Sequence, residues 1–311
     1  MSKFNISLIG TGSLGTALSF LVLSNRHHLS IFEPNQTNLQ NFLHHPQIKK
    51  FKNITVYPNI ENVLDKKFDY IIPCIPSKYI DSFYQSFFSV SNHHSHIISI
   101  SKGLYPNTTK TISQQIKNKH PLSKFSVISG PTFANEILNT YPTKCTIATK
   151  TKTSYQNIQS IFSNHFFSTE YSRDLLAVEF GGILKNCYAV TLGIIDHFYE
   201  MNTKSLAIIQ ILSETQKLYQ KLNLNPQNIY SLHFLGDLIA TGLNPDSRNT
   251  TFGHDLKYKK NTTIEGADNI FPILQLATNS KIALPILTQT QKIIRNPSST
   301  NINRLAKILI S

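Results

Sequence analysis

The stretch Phe4–Asn35, FNISLIGTGSLGTALSFLVLSNRHHLSIFEPN, runs through a short apolar segment, a glycine turn, an apolar-periodic segment and a second apolar run. That order predicts strand, turn, helix, strand. Gly10, Gly12 and Gly15 stand in the spacing G-x-G-x-x-G between the first strand and the helix. In that place Gly10 makes the tight turn, Gly12 lets a pyrophosphate approach the backbone, and Gly15 lets the helix pack on the strand. Helix amides near Ser13 and Leu14 then face the phosphates. About 20 residues downstream LSIFE ends in Glu33, where an acid holds the adenine-ribose hydroxyls of NAD and repels the 2′-phosphate of NADP. The stretch therefore reads as a dinucleotide site for NADH or NADPH, with NADH preferred. The other reading of Glu33 is a cap on the second strand at the surface.

Working outward, FDYIIPCIPSKYI (68–80) and HIISISKGL (96–104) read as two more buried strands that each run into a loop. Ligands in such sheets sit beyond the carboxyl ends of the strands, which makes Ser77, Lys102 and Gly103 pocket candidates. FSVISGPTFANEI (125–137) repeats the theme, with a strand ending at Gly130 and Pro131 before a helix start.

After about Tyr171 the strand-like runs stop, and long helical segments follow at Leu175–Ile195, Lys204–Leu222 and Ile264–Asn279. The fold class expected is an α/β N-terminal Rossmann domain, doubly wound with a mostly parallel sheet, over residues 1–172. An all-α domain follows over 173–311. The segment from Leu175 is apolar all round, as in a helix surrounded by other helices. Only Glu179 and Lys185 carry charge there. Gly181, Gly182, Ala189 and Gly193 share the face of Lys185, and small residues in those places are expected to leave room for a ligand. A buried ammonium needs a partner or a lowered pKa, and a second cation such as Lys102 would push the pKa further toward the range useful for proton transfer. The plainer reading is that Lys185 pairs with Glu179 or Asp237, or reaches solvent. Further on, Asp237 falls in a Gly-Asp turn or helix start. NPDSRN sets Ser247, Arg248 and Asn249 at a helix N-terminus or tight turn, a fork with hydroxyl and amide donors suited to phosphate.

Composition narrows the partners. The 311 residues are 40% hydrophobic, enough for two cores, and 30 Lys+Arg against 17 Asp+Glu give a net charge of +13. A balance that basic points to anionic partners such as nucleic acid, a membrane surface or phosphorylated metabolites, and the absence of an arginine-rich run or basic heptads argues against nucleic acid among them. Cys74, Cys145 and Cys187 are too few and too scattered for a disulfide framework or a thiolate metal site, so a reducing, cytoplasmic setting is expected. HHSH at His93–His96 has no acidic or cysteine companions and reads as a solvated loop, leaving no metal site. Three spaced glycines and the lack of a cleavage site argue against a signal peptide at the start. No later run reads as long and apolar enough to span a bilayer, so no stable membrane insertion is expected.

Taken in order, GTGSLGTAL (10–18), SKGL (101–104), SGPTFANEI (129–137), GGILKNCYAVTLGIIDH (181–197), LGDLIAT (235–241), SRNTTFG (247–253) and IEGADN (264–269) resemble the NAD(P)-dependent glycerol-3-phosphate dehydrogenases. The resemblance implies a Rossmann domain followed by a helical substrate domain, a homodimer, and interconversion of dihydroxyacetone phosphate and sn-glycerol 3-phosphate for phospholipid synthesis. It matches Lys185 to the family's catalytic lysine, which protonates the ketone oxygen, and Lys102 to a lysine touching substrate and cofactor. Gly130 and Thr132 match substrate contacts; Asp237 would anchor Lys185 or the substrate hydroxyls; Ser247, Arg248 and Asn249 would hold substrate, with Arg248 also near the cofactor. Ser13, Leu14, Ala134 and Glu265 match cofactor contacts. The chain departs from the family's pattern at Leu14, usually aromatic, and at Phe234, near a usual glycine. It departs also at His197, usually in Asp-Gly, at Gln210, usually arginine, and at Thr250 and Thr251, usually basic. Two alternatives stand beside this reading: another two-domain hydroxy-acid or keto-acid dehydrogenase, and a catalytically weakened dinucleotide-binding homologue.

Overall fold

A computed structural model describes residues 3–90, 95–244, 246–256 and 264–311. The chain divides into two compact units, residues 1–101 with 113–175 and residues 102–112 with 176–311. The short segment that begins at Lys102 thus belongs with the second unit.

The first unit alternates strand and helix: β1 (Asn5–Ile9), α1 (Ser13–Ser24), β2 (His28–Phe32), α2 (Gln36–His44), β3 (Ile54–Val56), α3 (Ile60–Leu64), β4 (Tyr70–Pro73), α4 (Ile80–Ser89), β5 (His96–Ser99), α5 (Ile112–Lys119), β6 (Phe125–Ser129), α6 (Ala134–Leu138), β7 (Thr143–Ala148), α7 (Lys152–Phe162) and β8 (Phe167–Ser172). The eight strands form one sheet in the order β3-β2-β1-β4-β5-β6-β7-β8, parallel except where β7 runs against β6. Every residue of β4, β5 and β6 is buried, as expected of a sheet covered on both faces, which is why these strands read as continuous apolar runs rather than alternating ones. The strand order reverses between β1 and β4, where an open α/β sheet leaves a crevice at the strand ends. The doubly wound fold expected from the sequence is the one observed.

One expectation is corrected here. His96 is not in a solvated loop; it opens β5, is buried, and its Nε2 lies 2.7 Å from the Ser126 hydroxyl on β6. Burial pulls its pKa down to about 4, so the ring sits neutral in the sheet. His93 and His94 lie outside the described residues.

The second unit is helical: α8 (Leu175–Phe198), α9 (Met201–Lys221), a π-helical turn at Leu232–Gly236, α10 (Asp237–Gly242), α11 (Arg248–Asp255), α12 (Glu265–Asn279), α13 (Pro285–Arg295) and α14 (Ser299–Ile310). Every residue of α8 from Ala177 to Ile195 is buried, including Lys185, so the other helices wrap it on all sides. Contrary to the sequence expectation, α8 is long and apolar enough to cross a membrane, with a mean hydropathy of 1.3 over its best window. Of that window 89% is instead buried inside the protein, which makes α8 a core helix.

The small residues of α8 are also reassigned. A Cβ at Gly181 would lie 2.7 Å from the His233 ring and 2.9 Å from its carbonyl oxygen, and a Cβ at Gly193 would overlap the Thr250 carbonyl. Gly253 on α11 faces the Val190 carbonyl in the same way. These glycines let helix backbones touch; at Gly181 and Gly193 they leave no room for a ligand.

Candidate active site

In the first unit, β1 runs into Gly10, whose φ of +96° favours glycine and whose absent Cβ would lie 2.6 Å from the Cys74 carbonyl oxygen. A Cβ at Gly15 would overlap the Gly10 carbonyl, so α1 sits hard against the turn. Gly12 differs: its absent Cβ would meet open space. Gly12 is the N-cap of α1 and supplies no capping side chain, and no acid stands in the first turn. The first amides of α1, at Ser13 and Leu14, therefore lack intrahelical acceptors and carry the positive end of the helix dipole. Open backbone, free amides and positive potential in one place fit the pyrophosphate of a dinucleotide.

Glu33 follows β2 directly and is buried, which rules out the surface cap. Its Oε2 accepts the Thr11 N–H at 2.6 Å and the Thr11 hydroxyl at 3.2 Å, while Oε1 accepts the Asn35 N–H at 2.9 Å. The carboxylate is thereby fixed beside the glycine turn. Elsewhere on the first unit, Gly130 ends β6 with φ +140°, and its absent Cβ would lie 3.2 Å from the Cys145 Cα, so only glycine serves there. The Thr132 hydroxyl donates to the Gly130 carbonyl at 3.3 Å, Ala134 opens α6, and Ser77 opens a 3-10 turn after β4.

The second unit gathers the charged groups. Asp237 opens α10 and is buried. One of its oxygens, Oδ1, lies 2.9 Å from Lys185 Nζ, and the other, Oδ2, lies 2.5 Å from Lys102 Nζ. The Thr241 hydroxyl accepts from Lys185 Nζ at 2.8 Å and donates to Asp237 Oδ1 at 3.2 Å. Of the pairings open to Lys185, the one formed is with Asp237. Burial pulls the Lys185 ammonium down to about 8; Asp237 works against that shift, and the charge of Lys102 adds to it. For Asp237 burial alone would raise the carboxyl, but the two ammonium groups outweigh it and hold the carboxyl below its usual value. Two ammonium groups on one carboxylate leave these three side chains with an excess of positive charge, while the Glu265 carboxylate beyond them also favours the charged form of Lys185.

Sequence reasoning misses one member of this cluster, Thr241, and a residue beside it, Asn186. Thr241 stands one helical turn after Asp237, and Asn186 directly follows Lys185; the i, i+4 spacing on α10 was the available signal for the first. The Asn186 Nδ2 approaches Glu265 Oε2 at 3.5 Å, and its Oδ1 accepts from Asn249 Nδ2 at 2.9 Å. Asn249 Oδ1 in turn accepts the Gly266 N–H at 3.0 Å, so both ends of the Asn249 amide brace α8 and α12. Ser247 is the N-cap of α11, its hydroxyl accepting the Thr250 N–H. Arg248 is exposed and makes no hydrogen bond or ion pair with a described residue.

The family departures fall into place around this frame. Thr250 is buried, and its hydroxyl donates to the Thr241 carbonyl at 2.8 Å, tying the first turn of α11 to the residue that holds Lys185. The Thr251 hydroxyl donates to the Ser247 carbonyl. Phe234 is fully buried with its ring edge-on to Tyr188, Leu14 packs at the edge of the first unit's core, and exposed His197 meets the His254 ring at 4.8 Å. Gln210 is half-buried on α9.

Comparison with known proteins bears on the whole chain. A family model described as the NAD-dependent glycerol-3-phosphate dehydrogenase N-terminus matches residues 5–155, and its C-terminal counterpart matches residues 174–302. A glycerol-3-phosphate dehydrogenase (NAD(P)+) of Fusobacterium nucleatum is 32% identical over 93% of this chain and 92% of its own. One of Macrococcus caseolyticus is 35% identical over 81% of this chain and 79% of its own. The crystal structure of the Coxiella burnetii glycerol-3-phosphate dehydrogenase shares the fold with a TM-score of 0.89 at 21% identity, over 99% of both chains.

Proposed function

The chain belongs to the NAD-dependent glycerol-3-phosphate dehydrogenase family, and on that premise we propose that it interconverts dihydroxyacetone phosphate and sn-glycerol 3-phosphate. In this reading the reduction supplies glycerophospholipid synthesis in the cytoplasm, and the enzyme works as a homodimer. The first unit holds NADH or NADPH through the glycine turn, Ser13, Leu14 and Glu33, and the second holds the substrate. The observation that carries the reading is the buried cluster of Lys185, Asp237 and Lys102.

Reducing a ketone requires a proton at oxygen and positive potential where the alkoxide develops. The bound dinucleotide supplies the hydride. Lys185 gives its proton from Nζ to the substrate oxygen, and takes it back in the reverse direction. Asp237 and Thr241 accept from the same Nζ, so two of its hydrogens are committed and the third is aimed. A pKa near 8 lets that proton leave and return close to neutral pH. Lys102, on the other oxygen of Asp237, keeps a second positive charge beside the developing alkoxide. The positive excess of the cluster, with exposed Arg248 able to reach a ligand, suits a phosphorylated substrate. By the family resemblance Gly130 and Thr132 are assigned to substrate, and Ala134, Glu265 and Arg248 to cofactor; within the second unit Ser247 caps α11 and Asn249 ties its first turn to α8 and α12.

The test compares dihydroxyacetone phosphate with dihydroxyacetone. Arg248→Ala is expected to lower kcat/KM about 10- to 100-fold for the phosphorylated substrate, the scale of a lost charge-assisted contact, while leaving the unphosphorylated one nearly unchanged. Equal loss on both would remove the phosphate from the role of Arg248.

A further inference from the structure

Lys102 reaches Asp237 from a short segment, residues 102–112, and something must hold that segment for the two lysines to share one carboxylate. The segment closes on itself through Tyr105 N–H to the Lys110 carbonyl and Thr108 N–H to the Tyr105 carbonyl, but neither bond fixes its start. Its start is held at Leu104, two residues beyond Lys102. The Leu104 N–H donates to Asn269 Oδ1 at 2.8 Å, and its side chain is buried in the core of the second unit. Asn269 is buried on α12, and its Nδ2 donates to the Glu265 carbonyl of its own helix at 2.7 Å. With the amide nitrogen tied back to the first turn, only one orientation of the side chain remains, and in it the oxygen points at Leu104. The same turn of α12 is fastened to the neighbourhood of Lys185, because the Gly266 N–H bonds Asn249 Oδ1 and Asn249 Nδ2 bonds Asn186 Oδ1.

We propose that Asn269 is a positioning residue that sets Lys102 on Asp237, so that the first turn of α12 fixes both lysines relative to one another. The role rests on the dehydrogenase reading for its catalytic consequence, but not for its geometry. Asn269 is hydrogen-bonded to neither lysine, yet through Leu104 it controls the charge next to Lys185. An apolar residue at 269 would pack but leave a buried Leu104 N–H without its acceptor, and the segment would move to satisfy it.

The test has a readout that does not depend on turnover. Competitive acetylation followed by peptide mass spectrometry measures how reactive each lysine amine is in the folded protein. Asn269→Leu is expected to raise labelling of Lys102 about three- to tenfold relative to the surface lysines, with circular dichroism unchanged, as a segment that opens locally would. If Asn269→Leu does not fold, Asn269→Ser, too short to reach Leu104 and free of added bulk, takes its place. Unchanged labelling of Lys102 in a folded variant that lacks the acceptor would overturn the proposal.

Kinetics give the second arm. Asn269→Leu is expected to lower kcat/KM for reduction about 10- to 100-fold, yet less than about twofold in a Lys102→Met background, because the two changes remove one effect. It should also move the limb of the pH profile near 8 upward, since Lys102 would no longer depress the Lys185 ammonium. Additive losses with an unmoved limb would assign Asn269 to stability alone and overturn the proposal. Absence of turnover in the wild type would instead remove the dehydrogenase reading, and the labelling result would still decide whether Asn269 positions Lys102.

Discussion

Among single residues, the proposed catalysis depends most on one ammonium group in an apolar helix. Lys185 is 6% exposed, and its proton is held near pH 8 by burial that Asp237 only partly offsets. The sign of the pH dependence follows. Reduction needs the protonated amine, so its rate should fall as pH rises through about 8; oxidation needs the neutral amine and should rise through the same interval. Profiles of kcat/KM in the two directions check this, and limbs of the same sign in both would assign the titration to another group. Lys185 was legible in the sequence because a lone cation in a buried run conflicts with its surroundings, and such conflicts mark functional sites. Asp237 was legible only as a candidate partner, since nothing in GDL says that two lysines distant in sequence share it. Thr241 was passed over because a threonine one turn along a short helix contradicts no local rule.

At the scale of the element, periodicity identified the helix and its face but not what lies across from that face. Small residues near a functional side chain, as at Gly181 and Gly193, leave a gap when the helix is taken alone. The gap is filled by the backbones of the π-helical turn and of α11. The contact between α8 and α11 is reciprocal, with Gly193 against the Thr250 carbonyl and Gly253 against the Val190 carbonyl. Replacing Gly193 by Ala would force the helices apart and is expected to cost about 1–3 kcal/mol, the usual range for overpacking, read as a lower midpoint in urea. Because Thr250 also bonds the Thr241 carbonyl, the same change should reduce activity. A variant as stable and active as the wild type would show that the spacing of these helices does not matter to the site. His96 illustrates the same blindness on a strand: four polar residues in a row look like a loop, and only the sheet shows that the last of them meets Ser126.

At the scale of the whole molecule, the division into a strand-and-helix half and a helical half could be read from where the apolar runs change length and periodicity. Strand order, the antiparallel β7 and the attachment of residues 102–112 to the second unit could not, because they are set by tertiary packing rather than local pattern. The two halves make separable contributions. In the proposed dinucleotide site, Glu33, fixed beside Gly10 by Thr11, would oppose the extra phosphate of NADP, so kcat/KM is expected to favour NADH by about tenfold or more, a difference of at least one like-charge contact. Equal efficiency with NADPH would contradict that assignment while leaving the chemistry of the second unit untouched.

That chemistry is tested most directly by following NADH absorbance with dihydroxyacetone phosphate for the wild type and Lys185→Met, with folding and NADH binding checked in both. The account predicts that the wild type oxidises NADH and that the folded, NADH-binding variant is slower by about a thousandfold or more, as expected when a general acid is removed from a preorganised site. A variant that keeps its rate within a few-fold of the wild type would contradict it, and would mean that the lysine buried between Asp237 and Thr241 serves the fold alone.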